Sequence, residues 1–553
     1  MQFLKGPFMK TKVLRRKIRF WTGFAAGLAA GVVASGAMLL ISVTLGGISL
    51  PEVFGSELTA LMPPPLFAYL HNLIGGDAKH YLFYIILVGQ CLVFALAGAL
   101  YNLRFSPQGE RLQWYHGPIL AGILWLLTGF ILLPLTGAGI FGAQLTIGFG
   151  RGMLSLAEVG LIFGILFIFA QRWLTDWVQE RATRVANRKS VNEGEGVSRR
   201  YILKHGAVIA GIGLLGYALW GFIIDSGSSA SVPVSRLLKN FKSKIVPPPI
   251  PNYGQIQPAP LLSSEVTSND QYYIVSKNLF ADPTVNGSTW HLVVDGQVEN
   301  PLTLSYSQLL AMPMKQQYES MMCISNEVGG QYMSNALWEG VPLMDLLQQA
   351  GVKPGATKIV FHSADDYTDS IHLSKALEPT TLMAVRMNGA TLPQEHGFPL
   401  RMLVPGIYGM KHAKWVTRIE VVNYDYQGYW QDRGWNDAAP IRMTARIDTP
   451  LNGSVLTANR LTYIAGVAFS GNLGISEVDV STDGGESWQR ATLKRPLSNL
   501  TWVLWELAWQ PKPGNYVVLA RAIDMEGNVQ DPNIEPPLPN GSSGYHTIML
   551  RAS

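Results

Sequence analysis

The sequence predicts a multidomain protein in which an α-helical transmembrane bundle of five spans precedes an α+β domain and an immunoglobulin-like β-sandwich. Hydrophobic residues make up 48% of the 553 residues, and the long apolar runs are confined to the first part of the chain. A proline- and serine-rich stretch follows, and the remainder alternates short apolar runs with glycine-containing turns. The predicted boundaries are 1–224 for the transmembrane domain, 225–262 for a linker, 263–443 for the α+β domain and 444–553 for the sandwich.

The apolar runs are each long enough to cross a bilayer as a helix. They lie at 20–45, 81–100, 118–135, 153–173 and 201–224. Between the first two runs, the segment 50–75 is rich in proline and large apolar residues, and it predicts an amphipathic helix on the outer face of the membrane.

The distribution of lysine and arginine predicts the orientation of these runs. Basic residues are concentrated in the N-terminal tail and in the loops that follow the second and fourth runs, whereas 46–80 and 136–152 contain only Lys79 and Arg151. Because cytoplasmic loops carry the excess of positive charge, the N-terminus is predicted to be cytoplasmic. Five crossings then place the C-terminal half outside the cytoplasm. The basic residues of 236–244 are an exception to this pattern.

The segment 198–204, Ser-Arg-Arg-Tyr-Ile-Leu-Lys, directly precedes the fifth run. It resembles a twin-arginine translocation signal, which a receptor recognises. The alternative is that Arg199 and Arg200 simply end a cytoplasmic loop, where positive charge is expected. Because the twin-arginine route exports folded proteins, the signal predicts that the outer half acquires a cofactor before export.

The outer half begins with a linker whose prolines favour a stiff, extended spacer. The following part, up to about residue 443, mixes strand-like runs with helical periodicity. From about residue 447 apolar alternation dominates, with turns at Asp483-Gly484-Gly485 and Glu526-Gly527-Asn528. About seven strands over such a length predict the sandwich.

Cys323 stands out because the chain has only one other cysteine, Cys91, which lies in an apolar run. Cys323 therefore has no soluble partner for an intramolecular disulfide. It lies in the polar, glycine-ended loop 321–330. Three interpretations stay open from the loop alone: a nucleophile, a metal ligand that supplies one thiolate, or an inert buried cysteine.

Several motifs of the outer half resemble those of the sulfite oxidase family of molybdenum-cofactor oxidoreductases. The resemblance extends over both outer domains. Its motifs are Cys323-Ile324-Ser325-Asn326, Met387-Asn388-Gly389, His-Gly-Phe-Pro-Leu-Arg at 396–401, Gly-Met-Lys-His-Ala-Lys-Trp at 409–415 and Ser-Thr-Asp-Gly-Gly-Glu-Ser-Trp at 481–488.

The resemblance implies a molybdenum–molybdopterin cofactor with Cys323 as the protein's metal ligand. Molybdenum favours sulfur, and the pterin dithiolene supplies the other sulfurs. The pterin ends in a phosphate, which requires cations and backbone N–H groups. The catalytic positions that the resemblance implies are Cys323, Lys277 and Trp435. The cofactor-binding positions are Asn278, His396, Arg401, His412, Ala413 and Lys414, together with Ser363 or Asp365.

Three departures from the animal and plant enzymes concern the substrate. Lys277 replaces an arginine, Trp435 stands where those enzymes have a tyrosine, and Glu327-Val328 replaces two cations after the cysteine. A sulfite dianion requires converging cations, so fewer of them make sulfite a doubtful substrate. Because bacterial members include a sulfoxide reductase, the direction of the reaction also stays open.

The predicted function is two-electron oxygen-atom transfer on a small oxyanion, sulfoxide or related substrate by a membrane-anchored, extracytoplasmic enzyme. The alternative is a membrane-tethered binding or adhesion module without a cofactor. No Cys-x-x-Cys-His haem motif is present in the sequence, so a separate electron-transfer partner is expected. The resemblance implies a homodimer through the sandwich. The net charge of +5 arises from basic residues beside apolar runs, which favours the membrane and not nucleic acid as the partner.

Overall fold

The computed structural model describes residues 7–74, 78–188 and 261–553, together with Ile256 and Ala259. The chain divides into two compact units. The first contains most of the N-terminal helices and the short segment Asn278–Asp282, and the second contains Met62–Gly75 and the remainder of the outer half. The predicted fifth run at 201–224, the arginine pair and most of the linker lie outside the described residues.

The first unit is built from apolar helices. Four helical segments, Arg16–Leu45, Lys79–Phe105, His116–Leu135 and Gly148–Arg181, are long and apolar enough to cross a membrane, and they overlap the first four predicted runs. The third contains a π-helical turn at Thr128–Leu132 and ends at Leu133–Leu135. The helices of the described N-terminal part are α1 (Pro7–Leu45), α2 (Leu50–Leu61), α3 (Pro64–Ile74), α4 (Ala78–Phe105), α5 (His116–Leu127) and α6 (Gly148–Arg188).

Glycines allow α1 and α4 to approach each other closely. A Cβ on Gly23 would lie 2.6 Å from the carbonyl oxygen of Gly98, and a Cβ on Gly98 would lie 2.7 Å from that of Gly23. Small residues at such a contact let two backbones pack directly, which is the usual way in which apolar helices associate in lipid. A larger side chain at either position would separate the two helices.

The segment 50–75 forms two helices and not the single helix that the sequence predicted. Three consecutive prolines at 63–65 explain the break, because a residue before proline is disfavoured in helical conformation. The second of these helices, α3, belongs to the second unit. There the ring of Phe67 lies 6.1 Å from that of Trp430, between centroids.

The second unit contains an α+β region with two sheets, one mixed and one antiparallel. One sheet has the order β2-β1-β10-β5-β6, and the other has the order β3-β4-β7-β8 with β9 paired to β7. Among the pairs of these two sheets only β1 and β10 run parallel. The strands are β1 (His291–Gly296), β2 (Leu302–Ser305), β3 (Lys315–Met322), β4 (Met333–Pro342), β5 (Lys358–Ser363), β6 (Thr368–His372), β7 (Leu382–Met387), β8 (Ala390–Thr391), β9 (Arg401–Leu403) and β10 (Val416–Val422).

Short helices cover these sheets, and one core joins them. The helices are α7 (Tyr306–Leu310), α8 (Leu343–Ala350) and α9 (Leu373–Ala376). Four leucine or alanine residues of α8 recur at helical spacing and are fully buried, namely Leu343, Leu346, Leu347 and Ala350. They join Trp338, Phe361 and Phe398 in the core. This packing fixes the strand ends from which the candidate site is built.

The C-terminal region is β-rich and consists of two sheets around a second core. Their orders are β11-β13-β17-β16 and β12-β19-β18-β14-β15. Trp505 of one sheet and Val478 and Val518 of the other are buried in the shared core. The strands are β11 (Thr444–Thr449), β12 (Val455–Leu456), β13 (Thr462–Phe469), β14 (Ile475–Ser481), β15 (Gln489–Arg490), β16 (Thr492–Leu493), β17 (Val503–Trp509), β18 (Gly514–Asp524) and β19 (His546–Ala552).

Candidate functional site

A cavity in the second unit brings together most of the residues that the sequence singled out. Predicted site residues on its wall are Lys277, Cys323, Asp365, His396, Arg401, His412, Ala413, Lys414 and Trp435. They come from six separate parts of the sequence. Cys323 directly follows β3, Arg401 opens β9, and His412–Lys414 lead from a 3-10 turn at Gly409–Lys411 into β10.

The thiol of Cys323 is buried at this wall, with the residue 6% exposed. Its backbone N–H donates to the carbonyl of Tyr332 at 2.9 Å, which fixes the start of the loop. The Sγ atom lies 3.0 Å from the hydroxyl of Ser325. Burial raises the pKa of the Cys323 thiol. A bound metal cation would act in the opposite direction, because it stabilises the thiolate directly.

Several buried polar atoms at the cavity wall have no hydrogen-bond partner within the described part of the chain. They are Nδ1 of His396, Nε of Arg401 and the indole Nε1 of Trp435. Such orphaned groups are rare in folded proteins, since each one carries a desolvation penalty of about 1–3 kcal/mol. Their clustering around one cavity fits a polar molecule that supplies the missing partners. A pterin ring with a phosphate has both donors and acceptors for them.

His396 presents an acceptor to the cavity. Its Nε2 lies 2.8 Å from the carbonyl oxygen of Asn269, so Nε2 carries the hydrogen and donates it. Burial lowers the pKa of His396 to about 4, which keeps the ring neutral at pH 7. The unpartnered Nδ1 is then a lone-pair acceptor, suited to an N–H group such as those of a pterin.

His412 is satisfied by the protein itself. Its Nδ1 accepts from the N–H of Val404 at 3.4 Å, and its Nε2 lies 3.2 Å from the carbonyl oxygen of Ile407. Burial lowers its pKa to about 3, so the ring is neutral. His412 therefore shapes the cavity wall, while its ring nitrogens are already used.

The charged residues at the wall leave it with an excess of positive charge. Lys277, Arg401 and Lys414 oppose Asp365 and Glu395. Nζ of Lys277 lies 4.0 Å from Oδ2 of Asp365, and Nζ of Lys414 donates to the carbonyl of Glu395 at 3.1 Å. Two guanidinium N–H groups of Arg401 are held by the carbonyl of His396 and by Sδ of Met321. A surplus cation beside orphaned N–H donors suits an anionic group such as a phosphate.

Sequence reasoning missed some of the wall. Tyr273, Tyr367 and Trp430 also line the cavity. The rings of Trp430 and Trp435 stack with centroids 4.1 Å apart and an interplanar angle of 11°. The signal that could have found Trp430 is its position in the segment 430–433, Trp-Gln-Asp-Arg, which lies just before Trp435. Tyr273 and Tyr367 had only one signal, their closeness in sequence to Lys277 and Asp365.

Two predicted cofactor residues are not part of the cavity wall. Asn278 belongs to the first unit, where its amide donates to Asp282 at 3.0 Å. The next backbone N–H groups, of Leu279 and Phe280, donate to the carboxylate of Glu52. Ser363 ends β5 with a buried hydroxyl that has no hydrogen-bond partner within the described residues.

The described residues contain no group of three or more His, Cys, Asp or Glu side chains that could hold a metal ion. The single-thiolate interpretation of Cys323 stays a prediction; it requires no such group, because a dithiolene-bearing cofactor brings its own sulfurs.

Comparisons with known proteins match the two parts of the outer half separately. Residues 280–430 match the family described as oxidoreductase molybdopterin binding domain, and residues 440–536 match the Mo-co oxidoreductase dimerisation domain. The chain is 30% identical to mitochondrial sulfite oxidase of Mus musculus over 331 residues, which is 51% of this chain and 60% of that protein.

Two further relatives extend this comparison. Sulfite oxidase of Arabidopsis thaliana is 28% identical over 340 residues, covering 50% of this chain and 84% of the plant protein. The uncharacterized oxidoreductase YuiH of Bacillus subtilis is 35% identical over 147 residues, covering 27% of this chain and 72% of that protein. The chain spans about 60% of the length of the mitochondrial relatives that it matches.

Proposed function

Because the chain belongs to the sulfite oxidase family of molybdopterin-dependent oxidoreductases, we propose that it is a membrane-anchored enzyme for oxygen-atom transfer at a molybdenum cofactor. The observation that carries the proposal is the buried thiol of Cys323 at a cavity where His396, Arg401 and Trp435 each have a polar atom without a hydrogen-bond partner in the described residues. When bound, the cofactor supplies the two-electron redox chemistry that no amino-acid side chain at this wall provides.

Several wall residues would take part in holding that cofactor. Cys323 is the proposed metal ligand. Arg401, Lys414 and the backbone around Ala413 would hold its anionic end, while Nδ1 of His396 accepts a hydrogen bond from its ring. Ser363 stays a candidate through a hydroxyl without a hydrogen-bond partner in the described residues, and Asn278 stays one through the resemblance alone.

The proposed substrate is a small oxyanion, a sulfoxide or a related molecule. Lys277 is the proposed cation that orients an oxygen atom, and Asp365, whose Oδ2 lies 4.0 Å from its Nζ, compensates part of its charge. The stacked pair Trp430 and Trp435 adds an apolar wall that suits an organic substituent. The relatives from Mus musculus and Arabidopsis thaliana are sulfite oxidases, and sulfite oxidation is one of the candidates for this chain.

A substrate screen tests this part of the proposal. Molybdenum-loaded protein is assayed with sulfite as electron donor to ferricyanide, and with methionine sulfoxide and trimethylamine N-oxide as acceptors of electrons from reduced viologen. We expect turnover with at least one of these classes, lost in Cys323→Ser. A loaded protein that turns over none of them would contradict oxygen-atom transfer on small oxo compounds.

The membrane arrangement is also a proposal. The basic residues favour a cytoplasmic N-terminus, five spans within residues 1–224, a linker at 225–262 and an extracytoplasmic catalytic domain at 263–443. Replacing Arg199 and Arg200 by lysine should retain the outer domain in the cytoplasm if the twin-arginine signal is used. Normal export of this variant would contradict that route.

We further propose that residues 444–553 form an immunoglobulin-like sandwich that pairs two copies of the chain, because this region matches a dimerisation domain. A separate redox partner carries the electrons. The second candidate, a binding module without cofactor, is favoured only by the incomplete set of cations around Cys323. Absence of molybdenum from protein expressed in a cofactor-competent host would support it.

A further inference from the structure

A chain of buried polar groups begins at the cavity wall. Tyr367 lines the cavity, and its hydroxyl oxygen lies 2.8 Å from Oδ2 of Asp369. Oδ1 of Asp369 accepts a hydrogen bond from Nζ of Lys411 at 2.8 Å. The same Nζ donates to Oδ1 of Asp437, also at 2.8 Å. Every link is within normal hydrogen-bond distance.

The series of hydrogen-bonded side chains continues from Asp437 to the protein surface. Nζ of Lys358 donates to Oδ2 of Asp437 at 2.7 Å and lies 2.5 Å from Oδ1 of Asp425. The side chains of Asp369, Lys411 and Lys358 are at most 2% exposed, whereas those of Asp437 and Asp425 are 27% and 74% exposed. This series of side chains thus connects the cavity wall to bulk water.

The hydrogens around Tyr367 can be counted. Its hydroxyl oxygen lies 2.8 Å from Oδ2 of Asp369 and 2.7 Å from the carbonyl oxygen of Met410, but a tyrosine has one hydrogen to donate. Both contacts are hydrogen bonds only if Asp369 carries a proton and donates it to Tyr367. When Asp369 is ionised, Tyr367 turns its hydrogen toward it.

The surroundings of Asp369 have opposing effects on whether it keeps this proton. Nζ of Lys411 donates to Asp369, to the carbonyl of Ser370 and to Asp437, so the ammonium group is fully hydrogen-bonded. Burial raises the pKa of Asp369, and Lys411 opposes this effect. Asp365 and Tyr429 also face Tyr367, and both raise the pKa of its hydroxyl.

We infer that Tyr367, Asp369, Lys411, Asp437 and Lys358 form a proton path between the cavity and solvent. This inference rests on the proposed function. Oxidation of a substrate X follows X + H2O → XO + 2H+ + 2e−: the X–O bond forms, both O–H bonds of water break, and two equivalents of a one-electron carrier are reduced. The two protons must leave the cavity, or enter it in the reverse direction.

The competing explanation is that the charges only hold the chain segments together. A buried ion network is strongly destabilising to break even when it has no other role. The experiment must then separate proton movement from folding. Tyr367→Phe is suited to this, because it removes the hydroxyl link and keeps the aromatic ring at the wall. The control for a disturbed buried ion pair is Glu265→Gln, which removes the carboxylate that pairs with Lys494 away from the cavity wall.

The rate of reoxidation tests the path without any organic substrate. Full-length, molybdenum-loaded protein is reduced with dithionite and mixed with ferricyanide in H2O and in D2O. We expect Tyr367→Phe to be reoxidised about tenfold more slowly, with a larger solvent isotope effect, while Glu265→Gln behaves as wild type. A Tyr367→Phe protein with the wild-type rate and isotope effect would overturn the path.

Infrared difference spectroscopy gives a second measurement. It does not depend on reaction rates, and it does not require the Tyr367→Phe variant to fold. The spectrum of oxidised minus reduced wild type should contain the carbonyl band of a protonated carboxylic acid, and Asp369→Asn should lack it. A wild-type spectrum without such a band would contradict the inference. Wild-type protein without molybdenum would overturn the proposed function and the proton path together. If wild type contains molybdenum but Tyr367→Phe and Asp369→Asn leave the measurements unchanged, only the proton path is overturned.

Discussion

Glu319 gives the sharpest physical prediction outside the cavity wall. It lies on β3, is 1% exposed, and its Oε2 accepts one hydrogen bond, from Gln317 at 2.7 Å. Oε1 has no hydrogen-bond partner within the described residues. Burial raises the pKa of Glu319 from its ordinary value of 4.5 to about 8, with Arg401 and Lys375 opposing the shift. The folded protein therefore holds this proton more tightly than the unfolded chain does.

The sign and size of the effect follow from linkage. Below pH 4.5 Glu319 is protonated in both states and affects stability little. As pH rises from 4.5 to about 8, the unfolded chain gains by ionising while the folded protein does not, so stability falls. At 1.36 kcal/mol for each pH unit, the loss approaches about 5 kcal/mol at pH 8. Glu319→Gln, which cannot ionise, should not show this loss.

The assay is the free energy of unfolding of the second unit in denaturant at several pH values between 5 and 9, for wild type and Glu319→Gln. The difference between the two should grow by several kcal/mol in favour of the variant as pH rises. Glu378→Gln is the control, because Glu378 is 39% exposed in its pair with Lys375. Parallel pH profiles for wild type and Glu319→Gln would refute the reasoning.

Three further predictions concern the cavity wall. Lys277→Met should raise KM for an anionic substrate about tenfold and change kcat less, because it removes a ground-state charge contact; an unchanged KM would show that Lys277 does not meet substrate. Arg401→Gln should lower the molybdenum content of purified protein, since a buried cation no longer meets the cofactor's anionic end; full occupancy measured by plasma mass spectrometry would contradict this. Trp435→Ala should lose the stack on Trp430 and about 3 kcal/mol or more of stability; thermal unfolding at an unchanged Tm would count against it.

Several residues that short motifs singled out lie together at the cavity, and their roles there stay predictions. Cys323, His396, Arg401 and Lys414 lie on one wall because strand ends and tight turns bring their motifs together, and each motif is local in sequence. The three prolines at 63–65 carried an equally local signal, and the prediction of a single helix over 50–75 overlooked it. Where the signal is local, a sequence interpretation can be checked residue by residue.

The sequence interpretation did not predict which acidic residues are buried or which residues pair over long separations. Glu319 and Asp369 are ordinary acidic residues in sequence, and their properties arise only because the folded core excludes water from them. Lys411 meets Asp369 and Asp437 across separations of 42 and 26 residues. Asn278 matched a family position, yet the segment Asn278–Asp282 belongs to the other unit. These outcomes depend on tertiary contacts that no short motif encodes.

X-ray absorption spectroscopy at the molybdenum edge, combined with metal analysis, tests the central claim most directly. The comparison is between wild type and Cys323→Ser, both expressed as the full chain in a cofactor-competent host. We predict about one molybdenum per chain in wild type and one fewer sulfur neighbour of molybdenum in Cys323→Ser. Wild-type protein without molybdenum, or an unchanged number of sulfur neighbours in the variant, would contradict the assignment of Cys323 as the metal ligand.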